Sequence, residues 1–275
     1  MPALERVCTG HGVVFYRSRL LHDEGFAHGF STRHGGVSPA PFDSMNLGIA
    51  QAPGESDTEL NLRENARRLL EAIGAPHARM VRVKQVHGAQ VHACTGAEPE
   101  GATGIEADGL VAQLPETAAC VRTADCVPIL VACAQTGAVA AIHAGWRGIV
   151  GGVVARTVES LCAAAGTRPA RLVAAIGPCI GAAVYEVGPE TAAHFESAGL
   201  REFVLPPGDG RAKEHLDCFG AVREQLLRTG IPRDSVDGAE LCTVATAGEF
   251  FSYRRDGARS GRMAAAIAPR APQRT

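Results

Sequence analysis

Short apolar runs alternate along the chain with stretches whose apolar residues recur at three- and four-residue steps, the pattern of an α/β protein. The runs at 13–16, 26–30, 80–86, 91–94, 109–112, 118–121, 127–132, 138–143 and 171–176 predict strands, and 250–254 and 263–267 predict the last two. Leu62, Ala66, Leu69, Leu70 and Ile73 fall at helical spacing. Ser56 and Glu59 stand before them as a capping box, and Gly74 with Pro76 ends the run. A second long helix is predicted from about Ile149 to Ala165, stopped by Gly166, with further helices at 189–197 and near 216–229. A Gly-, Pro- and Ser-rich loop fills 31–54. No internal repeat or long linker interrupts the pattern. One domain over 1–275 is therefore expected, a layered α/β sandwich with its core at about 13–267 and a frayed Pro- and Arg-rich tail at 268–275.

Composition narrows the function classes. Apolar residues make up 46% and charged residues 20%, and the net charge of −2 gives no overall pull toward nucleic acid or membrane. One Trp and three Tyr are too few for a base-stacking platform along a nucleic-acid strand. The nine cysteines are odd in number, irregularly spaced and contain no Cys-x-x-Cys pair, which argues against a disulfide framework and for a reducing compartment. The N-terminus lacks an apolar signal region, and Gln135, His143, Arg147 and Arg156 break the Ala/Val-rich stretches before they reach a membrane span. A cytoplasmic enzyme is the expectation.

Candidate chemistry gathers in three segments: KQVHG (84–88), TADCVP (123–128) and HAGWRG (143–148). Each places a metal-ligand side chain where a predicted strand meets a loop, the position at which α/β scaffolds collect functional groups. His87, Cys126 and His143 suit Zn²⁺, with a fourth coordination position left open as in catalytic sites; Cu²⁺ accepts the same donors. On spacing alone, a hydrogen-bonded histidine at a strand end and a cysteine in the core are the commoner readings, because no local zinc signature is present. A metal-free alternative also stands, with Cys126 as thiol nucleophile and His143 or His87 as its base.

Together with STRHGGVS (31–38), PFDSMNLG (41–48), IGPCIG (176–181), YEVG (185–188) and FFSYRRDG (250–257), these segments closely resemble the YfiH or laccase-domain family. The match runs from about Val13 to Ile267 with the motifs in family order. That family goes under the names multicopper polyphenol oxidase, purine nucleoside phosphorylase and, for some members, peptidoglycan editing factor. The resemblance implies one zinc per chain on His87, Cys126 and His143. It implies phosphorolysis of adenosine, inosine, guanosine and S-methyl-5′-thioadenosine, and deamination of adenosine. Cys218, in LDCFG, stands where the family tends to have an aliphatic residue.

Phosphorolysis needs cations to position phosphate. The candidates are Arg33, beside the flexible His34-Gly35-Gly36 loop, Lys84, Arg147 and Arg254; the plain alternative for each is a solvated or structural side chain. Asn46, Gln85 and Glu186 complete the substrate-binding candidates. Gln85 is expected on the strand face of His87, or else bonded to backbone at a sheet edge. Asp125 reads as a structural acceptor and Cys179 as a structural thiol. The partners expected are a small nucleoside and phosphate. Editing of muramyl-nucleotide precursors of peptidoglycan is a competing activity on the same metal. Copper-dependent phenol oxidation is disfavoured, since the ten histidines are scattered and form no His-x-His pair.

Overall fold

The computed structural model describes residues 4–48, 56–98, 102–208 and 212–271. Two mixed sheets pack face to face. The first has seven strands in the order Glu5–Cys8, Val14–Arg17, His28–Ser31, Met263–Ile267, Thr117–Thr123, Arg79–Lys84 and Ala102–Glu106. The second has six, in the order Val236–Gly238, Leu172–Ile176, Val127–Cys133, Val139–Ala144, Gly109–Ala112 and Val91–Ala93. Neighbours are antiparallel, except that Arg79–Lys84 runs parallel to both its partners and the two edge strands of the second sheet are parallel to theirs.

Side-chain alternation explains why the central strands read as unbroken apolar runs. Leu130 and Ala132 face the first sheet and pack with Val81, Ala119, Val121 and Ala265 between the two sheets. Ile129, Val131 and Cys133, on the opposite face, pack beneath the helices Val153–Ala165 and Cys218–Arg228. The outer face of the first sheet is covered by Leu69 and Leu70 of the helix Glu59–Ala72. The result is a helix–sheet–sheet–helix sandwich whose central strands are buried on both sides. Each fully buried Leu or Ile side chain contributes about 1.5–3 kcal/mol by leaving water.

Local chemistry moves several predicted boundaries. Thr58, not Ser56, caps the first long helix, its hydroxyl accepting the Asn61 amide at 3.1 Å. The helix expected from Ile149 to Ala165 is two helices, Trp146–Val150 and Val153–Ala165, because Gly152 adopts φ +77° and takes the chain out of helical geometry between them. Residues 250–254 form no strand. Phe250 and Phe251 are buried anchors, and Ser252 caps a short helix, Tyr253–Asp256. The helix expected near 216–229 begins at Cys218 with Asp217 as its cap, while Leu216 pairs in a small strand with Val204. The start of the expected frayed tail is held in place. Ala268 donates to the Ala27 carbonyl, and Arg270 to the Gly137 carbonyl; residues 272–275 lie outside the described residues. Residues 49–54 of the expected loop lie outside them too. No helix among the described residues is long and apolar enough to cross a membrane.

One buried group ties the fold to pH. His28 is 1% exposed; its Nε2 accepts the Ser18 amide at 3.0 Å and its Nδ1 donates to the Phe26 carbonyl at 2.8 Å. Burial pushes its pKa down to about 4. The folded protein therefore holds His28 neutral while the unfolded chain takes up a proton below about 6.5, so stability present above that pH is lost as acid carries the group toward its folded pKa. Between pH 7.5 and 5 this amounts to about 2 kcal/mol. Urea unfolding of wild type and His28→Gln at both pH values measures it: the pH-dependent loss is expected to shrink by about that amount in the variant, and an equal loss in both proteins refutes the assignment.

Candidate metal centre

The three chemistry-bearing segments meet at one end of the sandwich, where the chain passes between the sheets. His87 follows the strand Arg79–Lys84 of the first sheet, and His143 lies in Val139–Ala144 of the second. Cys126 sits on the crossing from Thr117–Thr123 to Val127–Cys133. Donor atoms of His87, Cys126 and His143 all lie within 4.8 Å of one another, and the two imidazoles stand edge to face with centroids 4.9 Å apart. His87 is exposed, Cys126 partly buried and His143 buried, so the cluster has an open side.

Asp108 organises both histidines. Its carboxylate accepts the backbone amides of Val86, His87 and Gly88 at 3.3, 3.0 and 2.7 Å, gathering the turn in which His87 adopts φ +58°. The same carboxylate takes the Nδ1 proton of His143 at 2.7 Å, leaving Nε2 free as a donor atom. Burial opposes the charge on Asp108, but the His143 contact and the amides outweigh it and hold the carboxyl below its usual range. Asp125 plays a comparable part beside Cys126. It adopts φ +103°, a costly conformation for a residue with a Cβ, and is pinned there by Thr243 Oγ1 and the Arg254 amide, each 2.6 Å from its carboxylate. Gly145 completes the packing. A Cβ there would stand 2.9 Å from His87 Cδ2 and 3.1 Å from Cys126 Sγ, so the residue after the His143 strand must be Gly for the donors to converge.

The donor set fits a zinc ion. Imidazole and thiolate are its preferred ligands, bonds of roughly 2.0–2.3 Å close a cluster of this size with small side-chain rotations, and three ligands leave a fourth position open. Burial alone would push the Cys126 thiol up, but the charge and hydrogen bonds of His143 and His87 bring it below the ordinary thiol range. The thiolate and Asp108 in turn raise the His143 imidazole, against the effect of its burial. The centre lies in a cavity of about 710 Å³, a size typical of small-molecule sites. Trp146, Tyr185 and Tyr253 line its walls, with Arg147 stacked over Trp146 at 4.3 Å and Arg254 over Tyr185 at 5.0 Å.

A family described as multi-copper polyphenol oxidoreductase laccase matches residues 27–270. The chain belongs to this family. Among its relatives is a protein of Deinococcus radiodurans named purine nucleoside phosphorylase, 41% identical over 87% of this chain and 88% of its own length. Another is purine nucleoside phosphorylase YfiH of Escherichia coli, 38% identical over 89% of this chain and 94% of its own. Among solved structures, YlmD of Geobacillus stearothermophilus superposes with a TM-score of 0.83 at 32% identity, covering 96% of this chain and 98% of that one. The shared fold is the mixed-sheet sandwich expected from the sequence.

The remaining residues that the family motifs single out separate into two groups. Lys84, Gln85, Arg147 and Arg254 line the cavity. Lys84 is also paired with Glu106 at 2.7 Å. Gln85 clamps the Arg122 backbone, donating to its carbonyl at 2.7 Å and accepting its amide at 2.9 Å, while lining the cavity as well. Arg33, Asn46 and Glu186 are engaged elsewhere. The Arg33 guanidinium donates to the Asp43 and Ala247 carbonyls and lies over the Phe251 ring. Asn46 is fully buried and bridges Gly48, Asp57 and the Arg262 amide. The Glu186 carboxylate binds Lys213 at 2.8 Å, while its carbonyl accepts from Arg254. The loop amides beside Arg33 are occupied as well, His34 by Thr32 Oγ1 and Gly36 by Ser44 Oγ.

Sequence reasoning passed over Asp108, Arg122, Arg262 and Tyr185. Asp108 lies in no motif that spacing would flag; its one signal is an acid directly before an apolar strand. Cys218, the residue that departs from the family's aliphatic side chain, lines the cavity from the first turn of its helix, and burial pushes its thiol up. Cys179 is buried in a backbone bridge with Cys242, as its structural reading requires. A second trio, His92, Cys94 and Glu98, also brings its donor atoms within 4.8 Å. Glu98 is already taken by the Thr95 and Gly96 amides and by His92, with Arg79 3.9 Å away, so that trio reads as a loop clasp. No other such group occurs among the described residues, and hence no histidine cluster of the kind a trinuclear copper site needs.

Proposed function

We propose that the chain is a zinc-dependent purine nucleoside phosphorylase acting as one catalytic unit on adenosine, inosine, guanosine and S-methyl-5′-thioadenosine, with adenosine deamination at the same site. The observation that carries this reading is the His87–Cys126–His143 cluster at an aromatic- and arginine-lined cavity of about 710 Å³. The names of the relatives support the nucleoside as substrate. In phosphorolysis a phosphate oxygen bonds to ribose C1′ as the C1′–N9 bond breaks. The bond pair leaves on the base, which takes the proton of the hydrogen phosphate. Zinc, when bound, supplies Lewis-acid polarisation. Trp146, Tyr185 and Tyr253 offer faces for the purine. Lys84, Arg147 and Arg254 contact the polar parts of the substrate, Gln85 offers it the one amide N–H left over from its clamp on Arg122, and Arg33, Asn46 and Glu186 brace the surrounding loops. The reading places the enzyme in the cytoplasm, where glutathione and thioredoxin would keep its cysteines reduced.

The test is chromatography of bases from zinc-loaded protein given adenosine with and without phosphate. Adenine release that requires phosphate is expected, with a smaller inosine product independent of it. Absence of turnover for every nucleoside, in protein shown to hold one metal, refutes the reading and leaves muramyl nucleotides as the substrates to try.

A further inference from the structure

Two guanidinium groups on the cavity wall have no carboxylate partner among the described residues. Arg122 belongs to the strand Thr117–Thr123, and Arg262 directly precedes Met263–Ile267. The antiparallel register sets Ala264 opposite Arg122, so Arg262, two residues before Ala264, lies diagonally beside Arg122 on the same sheet face. Both side chains line the cavity that holds the metal centre. Gly48 is wedged against the two stems: a Cβ there would stand 2.6 Å from Arg262 Cγ and 3.8 Å from Arg122 Cδ.

Their hydrogen bonds are few for the donors they carry. Arg122 Nη2 donates to the Val83 carbonyl at 3.0 Å, and Arg262 Nη1 donates to the Ser260 and Gly261 carbonyls at 2.6 and 3.0 Å. A guanidinium has five N–H groups, so most of this set is left for a ligand. The other cavity cations differ. Lys84 is paired with Glu106 at an exposed position, and Arg147 and Arg254 are exposed at the mouth, whereas Arg262 lies over the Tyr253 ring at 5.6 Å on the wall. Both wall arginines are partly buried. Burial lowers both pKa values, and the charges of Arg82 and Arg262 lower that of Arg122 further. Two adjacent, half-desolvated cations are costly unless an anion joins them. Arg122 and Arg262 line the same cavity as His87, Cys126 and His143, which sets the pair beside the metal centre.

We propose that Arg122 and Arg262 form a cradle for inorganic phosphate, holding the dianion at the wall beside Cys126. The assignment of this phosphate as the attacking co-substrate rests on the phosphorylase reading above; the cradle itself rests on the arginine pair. Two planar, forked donors, one on a strand and one just before its neighbour, match a tetrahedral oxyanion better than one arginine would. The mouth arginines then serve the nucleoside.

The test is calorimetric titration of inorganic phosphate into zinc-loaded wild type, Arg262→Gln, Arg262→Lys, Arg122→Gln and Cys126→Ala, beside phosphate and nucleoside KM values. Arg262→Gln is expected to raise both the phosphate Kd and the phosphate KM about tenfold or more, the size of one charge-assisted contact, with nucleoside KM within about twofold. Arg262→Lys falls between it and wild type. Arg262 lies outside the strand, so its variants are informative even if Arg122→Gln fails to fold. Unchanged phosphate affinity in Arg262→Gln overturns the proposal, as does binding lost only in Cys126→Ala, which would place phosphate on the metal. If wild type binds phosphate through Arg262 yet cleaves no nucleoside, the cradle stands and the phosphorylase reading falls. If phosphorolysis proceeds with an unaltered phosphate KM in Arg262→Gln, the reverse holds.

Discussion

Cys126→Ala is expected to leave a folded protein that neither retains zinc through dialysis nor cleaves nucleosides. Losing an outer contact of a metal ligand typically costs 10- to 100-fold in affinity. Losing the thiolate itself, the one anionic member of the cluster, should therefore cost well over 100-fold. The fold should survive, because Cys126 behaves as a small, partly buried side chain and Ala removes little volume. Metal content after dialysis, far-ultraviolet circular dichroism and phosphate-dependent base release measure the three parts. A variant that keeps one zinc and turns over refutes the ligand assignment. A chelator arm on wild type is needed as well, because metal-free Cys126 and His143 favour a thiolate–imidazolium pair, the arrangement of a cysteine nucleophile with its base. Chelated wild type should be inactive and recover with zinc. Full activity after chelation would mean that the thiol itself does the chemistry.

Much of the layered architecture is written in the apolar pattern, and the reason lies in burial on both faces. Val127–Cys133 and Val139–Ala144 have no exposed residue, so their runs are uninterrupted and bounded by turn residues. Elements whose order depends on distant contacts are less visible. The strand Glu5–Cys8 alternates partly buried and exposed positions at a sheet edge, and Val236–Gly238 is three residues long. Residues 250–254 look like a strand because aromatic side chains favour sheets, but here Phe250 and Phe251 serve as anchors and the Ser252 cap turns the chain into a helix.

The site divides along similar lines. His87, Cys126 and His143 are legible because each sits in a compact motif at a strand end. Groups that act by supporting them are not, since Asp108 reaches His143 across 35 residues and Asp125 reaches Thr243 across 118. Arg33 and Arg262 show the same limit from opposite sides. Both are arginines near glycine-rich turns, yet only three-dimensional packing shows that Asp43 and Ala247 occupy the first while the second opens on the cavity.

Asp108→Asn is expected to weaken zinc binding 10- to 100-fold and to destabilise the metal-free protein by roughly 3 kcal/mol. The argument is one of donor count. Oδ1 accepts the His87 amide and His143 Nδ1, and Oδ2 accepts the Val86 and Gly88 amides, so both oxygens face donors only. Asparagine must put its NH₂ on one side. Placed toward Val86 and Gly88, it sets donor against donor and opens the turn that presents His87. Placed toward His143, it forces the imidazole to carry its proton on Nε2, the atom that should face the metal. Either orientation also removes a buried negative charge that favours binding of a cation. Competition titration with a zinc chelator and urea unfolding of the metal-free protein separate the two effects. Loss of stability with unchanged zinc affinity would make Asp108 a brace of the fold alone, whereas loss of both shows that the acid sets the geometry and tautomer of the histidine pair.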